Sequence, residues 1–425
     1  MTVTDPIRHN WAGNQQFSAV RCIRPQSLAE AQAVIADTSR IRPIGTAHSF
    51  SPLADTSQVQ LSLAGLPREI EIEADSNEVW VSAAVTYGDL APVLMEHGRA
   101  LHNLASLPHI SVAGACATGT HGSGDRLGNL ATAVTGMRLI RADGRLVEIA
   151  GAELAAEVVA LGCLGAVTHL RLATERFYEV AQVVFDDLPR ARLVDSLDEI
   201  FGAATSVSVF TTWDESERCQ VWLKQRCDVT SSWPQTSWLG ARQRTTPAHP
   251  LPDHDPINCT AQLGEPGPWF DRLPHFQMAF TPSSGDEIQA EYLLPRDMAS
   301  QAIQAIEGIR AIVHPILHAT EIRSVAADDL WLSPNYERPT IGIHFTWHKT
   351  NAVYDVLPII DELLAPLGAR PHWGKVTTFT PEMIVRGYPR FDQFAKRVRE
   401  LDPEGKFSNS MTDALMGAAM RDRVT

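Results

Sequence analysis

The chain has 425 residues, 44% hydrophobic and 20% charged, a size and balance that suit two or three globular domains with a sizeable core. Its formal net charge of -14, with no Lys/Arg cluster, argues against a nucleic-acid or anionic-membrane partner and favours a small neutral or cationic one. The six cysteines, Cys22, Cys116, Cys163, Cys219, Cys227 and Cys259, form no Cys-x-x-Cys pair, which fits neither a zinc site nor a disulfide framework and reads as a reducing compartment. Residues 1–14 lack a basic segment leading into an apolar stretch, and no apolar run approaches membrane-spanning length, so a cytoplasmic location with no membrane partner is expected.

Residues 20–23 read as a strand, and Ser27 and Glu30 as a capping box opening a helix that runs to residue 36. A second short strand, 42–44, runs into Gly45. Strands 69–73 and 79–84 flank Asp75-Ser76-Asn77, and a helix follows over 87–96. Residues 104–128 are dense in small residues with almost no periodicity, which predicts a loop held against a ligand. A hairpin of 137–142 and 145–149 turns on Asp143-Gly144, and 165–172 closes the region as a strand. The character shifts near 175–184. Beyond it come extended segments 289–293, 321–325 and 343–348, helices over 298–312 and 352–364, and an internal Pro/His/Asp-rich loop at 246–255. This pattern predicts an α+β fold with an antiparallel sheet in the second part. Phe391, Phe394, Ala395 and Val398 form one face of a late helix before a turn-rich close at 402–407.

Familiar signatures are absent: there is no Gly-x-Gly-x-x-Gly, Walker loop, Gly-x-Ser-x-Gly or His-Glu-x-x-His. His314 and His318 are four apart without a third ligand, so they read as structural and no metal site is expected. What remains is Gly45-Thr46-Ala47-His48-Ser49-Phe50 and Ser111-Val112-Ala113-Gly114-Ala115-Cys116-Ala117-Thr118-Gly119-Thr120-His121-Gly122-Ser123-Gly124. Successive backbone N–H groups and small hydroxyls of this kind wrap a pyrophosphate without cationic side chains; two tight turns packed together are the alternative.

With Asn10-Trp11-Ala12-Gly13-Asn14, Ala105-Ser106-Leu107-Pro108-His109-Ile110, Phe280-Thr281-Pro282-Ser283-Ser284-Gly285, Glu321-Ile322-Arg323 and Arg370-Pro371-His372-Trp373-Gly374-Lys375, these loops resemble the vanillyl-alcohol-oxidase flavoprotein superfamily, and within it the alditol (xylitol/sorbitol) oxidases. The resemblance spans nearly the whole chain. The commoner first loop of that family is Gly-Ser-Gly-His-Ser; here Ala47 replaces its second glycine and the histidine stays.

The resemblance implies a two-domain protein: an FAD-binding domain of the PCMH type at 1–175, a substrate-binding cap at 176–370 with a large antiparallel sheet, and a segment at 371–425 returning to the flavin. It implies FAD bonded covalently to His48, where the residues alone allow a histidine that hydrogen-bonds the turn. Ile44, Gly45, Thr46, Ala47, Ser49, Ser106, Ser111, Gly114, Thr118, Gly119, Thr120, His121 and Val167 would contact the cofactor. Glu321, Arg323 and Lys375 would be catalytic. Together with Ser106, Gln289, His344 and Thr346 they would also bind substrate; for Glu321 and Arg323 the residues alone allow a solvated charge pair. The implied reaction moves hydride from C1 of an alditol to flavin N5, gives an aldose, and reduces O2 to H2O2, in a monomer. A sugar-lactone oxidase or dehydrogenase is the second reading, with Ala105 beside Ser106 leaving oxygen access open. A binding protein on the same scaffold is the third, weighed against by the presence of Glu321, Arg323 and Lys375.

Overall fold

The computed structural model describes residues 2–229, 233–251, 254–280 and 285–421, so four of the six residues of the Phe280–Gly285 motif, 281–284, lie outside the described residues. Strand Arg21–Arg24 leads into helix Leu28–Asp37, which buries Ala31, Val34 and Ile35. Ser27 caps it by accepting from Glu30 N, but the Glu30 carboxylate reaches one residue further back than a capping box requires, to Gln26 N at 2.8 Å. Thr2–Thr4, Arg21–Arg24, Val59–Leu61 and Ile41–Pro43 form a four-stranded sheet in that order, its last three strands parallel. Next to it lies a five-stranded antiparallel sheet ordered Ile70–Ile72, Glu78–Ser82, Ala166–Ala173, Val134–Ile140, Leu146–Ala150. The hairpin of its last two strands in that order turns on Gly144 at φ +84°, a conformation glycine adopts without Cβ strain.

The small-residue stretch is not all loop. Val112–Ala117 forms a short helix that buries Val112, Ala115 and Cys116. Under two turns long, it leaves no apolar period to read in the sequence. The helix expected over 298–312 is likewise two pieces, Ala299–Gly308 and Arg310–Val313, broken where Gly308 weakens the helix and Ile309 leaves helical geometry.

The second half is built on a large sheet, ten-stranded among the described residues and antiparallel throughout. Its working part runs Arg218–Arg226, Ser206–Thr211, Leu317–Val325, Thr340–His348, Glu287–Pro295, Arg370–Pro371. Helices Ala299–Gly308 and Ala352–Leu364 cover strand Glu287–Pro295 and bury Ala302, Ile303, Ile306, Val353, Leu357 and Ile360. Because side chains alternate faces, the sheet's other face is free to line a cavity.

The C-terminal part folds back. Helix Phe391–Leu401 buries the four residues of its apolar face. Lys406 O accepts from Ile41 N at 2.9 Å, and Asn409 Nδ2 donates to the carbonyls of Pro52, Leu53 and Asp55. The first and last segments are thereby stitched into one body.

Candidate active site

One cavity of about 960 Å3 separates the N-terminal loops from the open face of the large sheet. That is the upper end of the roughly 300–1,000 Å3 typical of ligand sites. Its first wall is the His48 loop, and the opening motif of the chain explains how that loop is held. Asn10 Nδ2 donates to Ser49 O at 2.9 Å, Asn14 Nδ2 to Phe50 O at 2.9 Å, and Trp11 N to Ala47 O at 2.8 Å. The Trp11 ring stacks on His48, centroids 5.3 Å apart. Across the cavity rim, Phe50 N donates to Gly374 O and Ser51 Oγ to Trp373 O, both at 2.7 Å, which ties the His48 loop to the Lys375 turn.

Ile44, Gly45, Thr46, Ala47, His48, Ser49, Ser106, Ser111, Gly114, Thr118, Thr120, His121 and Val167 all line this cavity. Gly119 does not. It takes φ +64° after the short helix and packs against Pro334 and Val159, so its requirement for glycine is a turn, not an approach to a ligand. A Cβ on Gly45 would stand 2.8 Å from Ser111 Oγ, which is why the two loops can close together only with glycine there.

Opposite, three neighbouring strands set out cross-strand rows. Gln289 pairs with Thr346 and Thr346 with Ala319; Glu291 pairs with His344 and His344 with Glu321; Gly342 pairs with Arg323. Direct pairing puts each row on one face, so Gln289, Glu291, His344, Thr346, Glu321 and Arg323 meet at the cavity while Phe345 and Trp347 point into the core. Lys375 joins them from the returning segment, where His372 N donates to Glu291 O and Val376 N to Gln289 O, both at 3.0 Å. Its ammonium donates to Gln289 Oε1, and Gln289 Nε2 in turn to Glu287 Oε1. Trp373 Nε1 bonded to Leu332 O at 2.7 Å fixes the turn from below.

The buried charges balance around a residue the motifs do not reveal, Glu291. Arg323 Nη2 donates to its Oε1 at 2.7 Å, His121 Nε2 lies 3.1 Å from the same oxygen, and His344 Nδ1 lies 3.3 Å from Oε2. The Glu321 to Arg323 contact is longer, 3.6 Å, and the firm partner of Glu321 Oε1 is His275 Nε2 at 2.8 Å. Burial pushes both carboxyls up, but these partners outweigh it and hold Glu291 and Glu321 below the usual carboxylate range. The sequence motifs do not reveal Glu291 or His275, and His372, though inside the Arg370–Lys375 motif, carries no role that its spacing discloses. For Glu291 alone a signal existed, its two-residue spacing from Gln289 on a predicted strand.

Burial, with the Lys375 and His109 charges close by, lowers His48 to about 4, leaving a neutral imidazole near pH 7. Its Nδ1 is buried and has no hydrogen-bond partner among the described residues. A neutral, unsatisfied ring nitrogen on the wall of a cavity flanked by two small-residue loops suits a flavin dinucleotide. Burial likewise lowers Lys375 to about 8, against the pull of Glu291. His314 Nδ1 lies 2.9 Å from Thr212 O and the His318 ring lies against His348, centroids 3.8 Å apart; among the described residues no three His, Cys, Asp or Glu side chains come together to hold a metal.

An antiparallel sheet facing a glycine-loop cavity of this size suits a dinucleotide cofactor, and the relatives place the chain among FAD-binding oxidoreductases. Residues 20–150 match the model of the FAD binding domain and residues 283–415 that of D-arabinono-1,4-lactone oxidase. The chain is 45% identical to alditol oxidase of a Streptomyces species over 96% of this chain and 98% of that one. It therefore belongs to the alditol oxidase family of FAD-dependent oxidoreductases. More distant are the L-gulono-1,4-lactone dehydrogenase of Mycobacterium tuberculosis, 28% identical over 97% and 99% of the two chains, and the L-gulonolactone oxidase of Mus musculus, 25% identical over 94% and 96%. The crystal structure of cholesterol oxidase from Brevibacterium sterolicum shares the fold, with a TM-score of 0.76 at 13% identity over 98% of this chain and 97% of that one. No helix among the described residues is long and apolar enough to cross a membrane.

Proposed function

We propose that this enzyme oxidises the terminal hydroxyl of an alditol such as xylitol or sorbitol to an aldose, with O2 as electron acceptor and FAD linked covalently to His48. The observation that carries this reading is the shared cavity in which the His48 loop faces Glu321, Arg323, His344, Thr346, Gln289 and Lys375. When bound, FAD supplies hydride acceptance from the substrate carbon and reoxidation by O2 to give H2O2. The chain's own part is binding, orientation and charge. Glu321 accepts from substrate hydroxyls, Arg323 and Thr346 donate to them, and the rigid sheet holds the polyol in one register. Lys375, cationic below about pH 8, stabilises the negative charge that develops as the hydroxyl proton leaves. Ser106 and Gln289 complete the polar lining. Residues 1–175 serve as the flavin part, 176–370 as the cap and 371–425 as the returning segment of a cytoplasmic monomer.

A second reading, oxidation of a sugar lactone, is favoured by the match of residues 283–415 to the lactone-oxidase model. The deciding experiment is an anaerobic panel of alditols and aldonolactones scored by loss of flavin absorbance, then repeated in air for H2O2. Bleaching by xylitol or sorbitol and not by lactones supports the main reading; the reverse order overturns it. Bleaching without H2O2 in air makes the enzyme a dehydrogenase.

A further inference from the structure

Behind Glu321 lies a buried lysine that the reaction as written does not use. Lys224, on strand Arg218–Arg226, is 1% exposed. Its ammonium has three N–H bonds and three acceptors: Leu273 O at 2.5 Å, Pro274 O at 3.0 Å and His275 Nδ1 at 3.2 Å. With Lys224 as the ammonium, those acceptors set the tautomer of His275. A ring nitrogen that accepts from an ammonium carries no proton, so the proton of the neutral imidazole sits on Nε2. That nitrogen is 2.8 Å from Glu321 Oε1 and donates to it. Rotation of the ring is blocked from two sides by Phe210 and Trp222, each edge-to-face at 5.3 Å. The described contacts of Glu321 with His275 and Arg323 both use Oε1, which leaves Oε2 toward the cavity that Glu321 lines.

We propose that Lys224 is a positioning residue that acts through His275 to hold the Glu321 carboxylate ionised and in one rotamer, so that Glu321 presents a fixed acceptor to a substrate hydroxyl. This rests on the reading of Glu321 as a substrate-binding group. Packing alone does not account for a core lysine, since taking an ammonium out of water is strongly unfavourable. Burial does lower Lys224, to about 7, with Glu321 pulling the other way. A hydrogen-bonded link from ammonium to carboxylate returns part of that cost as orientation of the acceptor.

The test uses flavin-loaded enzyme with xylitol, following steady-state kinetics and, separately, reoxidation of the reduced enzyme by O2. His275→Phe is expected to raise KM for xylitol about 10- to 100-fold, the loss of a charge-assisted hydrogen bond, with the oxygen half-reaction unchanged. His275→Gln keeps an acceptor for Lys224 and a donor for Glu321, and is expected to recover most of the loss. Lys224→Met, combined with Glu321→Gln, is expected to add little to the Glu321→Gln effect, because the two lie on one path. Should Lys224→Met fail to fold, the His275 pair decides alone. A normal KM in His275→Phe, a His275→Gln as impaired as His275→Phe, or multiplicative Lys224 and Glu321 effects would each overturn the proposal. Failure of the wild type to bleach with xylitol overturns the alditol reading itself, and this one with it.

Discussion

Glu291 offers the sharpest test of how the site is held together. Its carboxylate, 2% exposed, is the common partner of Arg323, His121 and His344. Glu291→Gln keeps the volume and removes the charge, so Arg323 is left buried with Glu321 at 3.6 Å as its nearest carboxylate. Breaking a buried pair in this way costs about 3–5 kcal/mol, and for a chain of this length about 1 kcal/mol lowers Tm by roughly 1 °C. The sign of the pH dependence follows from the folded carboxyl being held below its ordinary value of 4.5. Its contribution is fully present above that value and is lost progressively as pH falls below it toward the folded one. At about pH 3.5, one unit below the unfolded value, the wild type has given up roughly 1.4 kcal/mol of its advantage. Denaturant unfolding of both proteins at about pH 7 and pH 3.5 measures this directly, as does calorimetry. A stability gap under about 1 kcal/mol, or one that stays constant between the two pH values, would refute the assignment of Glu291 as the ionised centre of the network.

Three further outcomes follow from the same geometry. Acid precipitation of the wild type is expected to leave the yellow colour in the pellet and that of His48→Ala to release it; free flavin from the wild type would rule out the covalent link. With Lys375 lowered to about 8, its charge is present below that pH and lost above, so anaerobic bleaching by xylitol slows as pH rises through about 8. Lys375→Met lacks this limb, and a wild-type rate that is flat through it would remove the charge from the mechanism. Ala47 sits at φ +56°, where a side chain costs about 1–2 kcal/mol and glycine little. Ala47→Gly should therefore leave Tm equal or higher, whereas Gly45→Ala, whose Cβ meets Ser111 Oγ at 2.8 Å, should lower it; thermal unfolding reads both, and the opposite order would contradict the backbone argument.

The sequence by itself determined the local elements whose cause is local. Helix Tyr87–Glu96 starts at the Thr86 and Asp89 capping box, and the late helix buries the four residues its spacing predicts. It marked the two small-residue segments as places where backbone approaches closely, though not that Val112–Ala117 inside the second is a helix, and its motifs carried the family. Tertiary structure alone decided what stands next to what. Glu291, His275 and Lys224 lie on different strands or loops, far apart along the chain, and only strand register and the cover of 273–275 bring them to Glu321. Gly119 shows the converse: inside a motif that reads as one ligand-binding run, its positive φ turns it away from the cavity to pack on Pro334. A motif records which residue types are present. Which carboxylate is charged, and which face a residue takes, depends on burial and on partners that no linear spacing encodes.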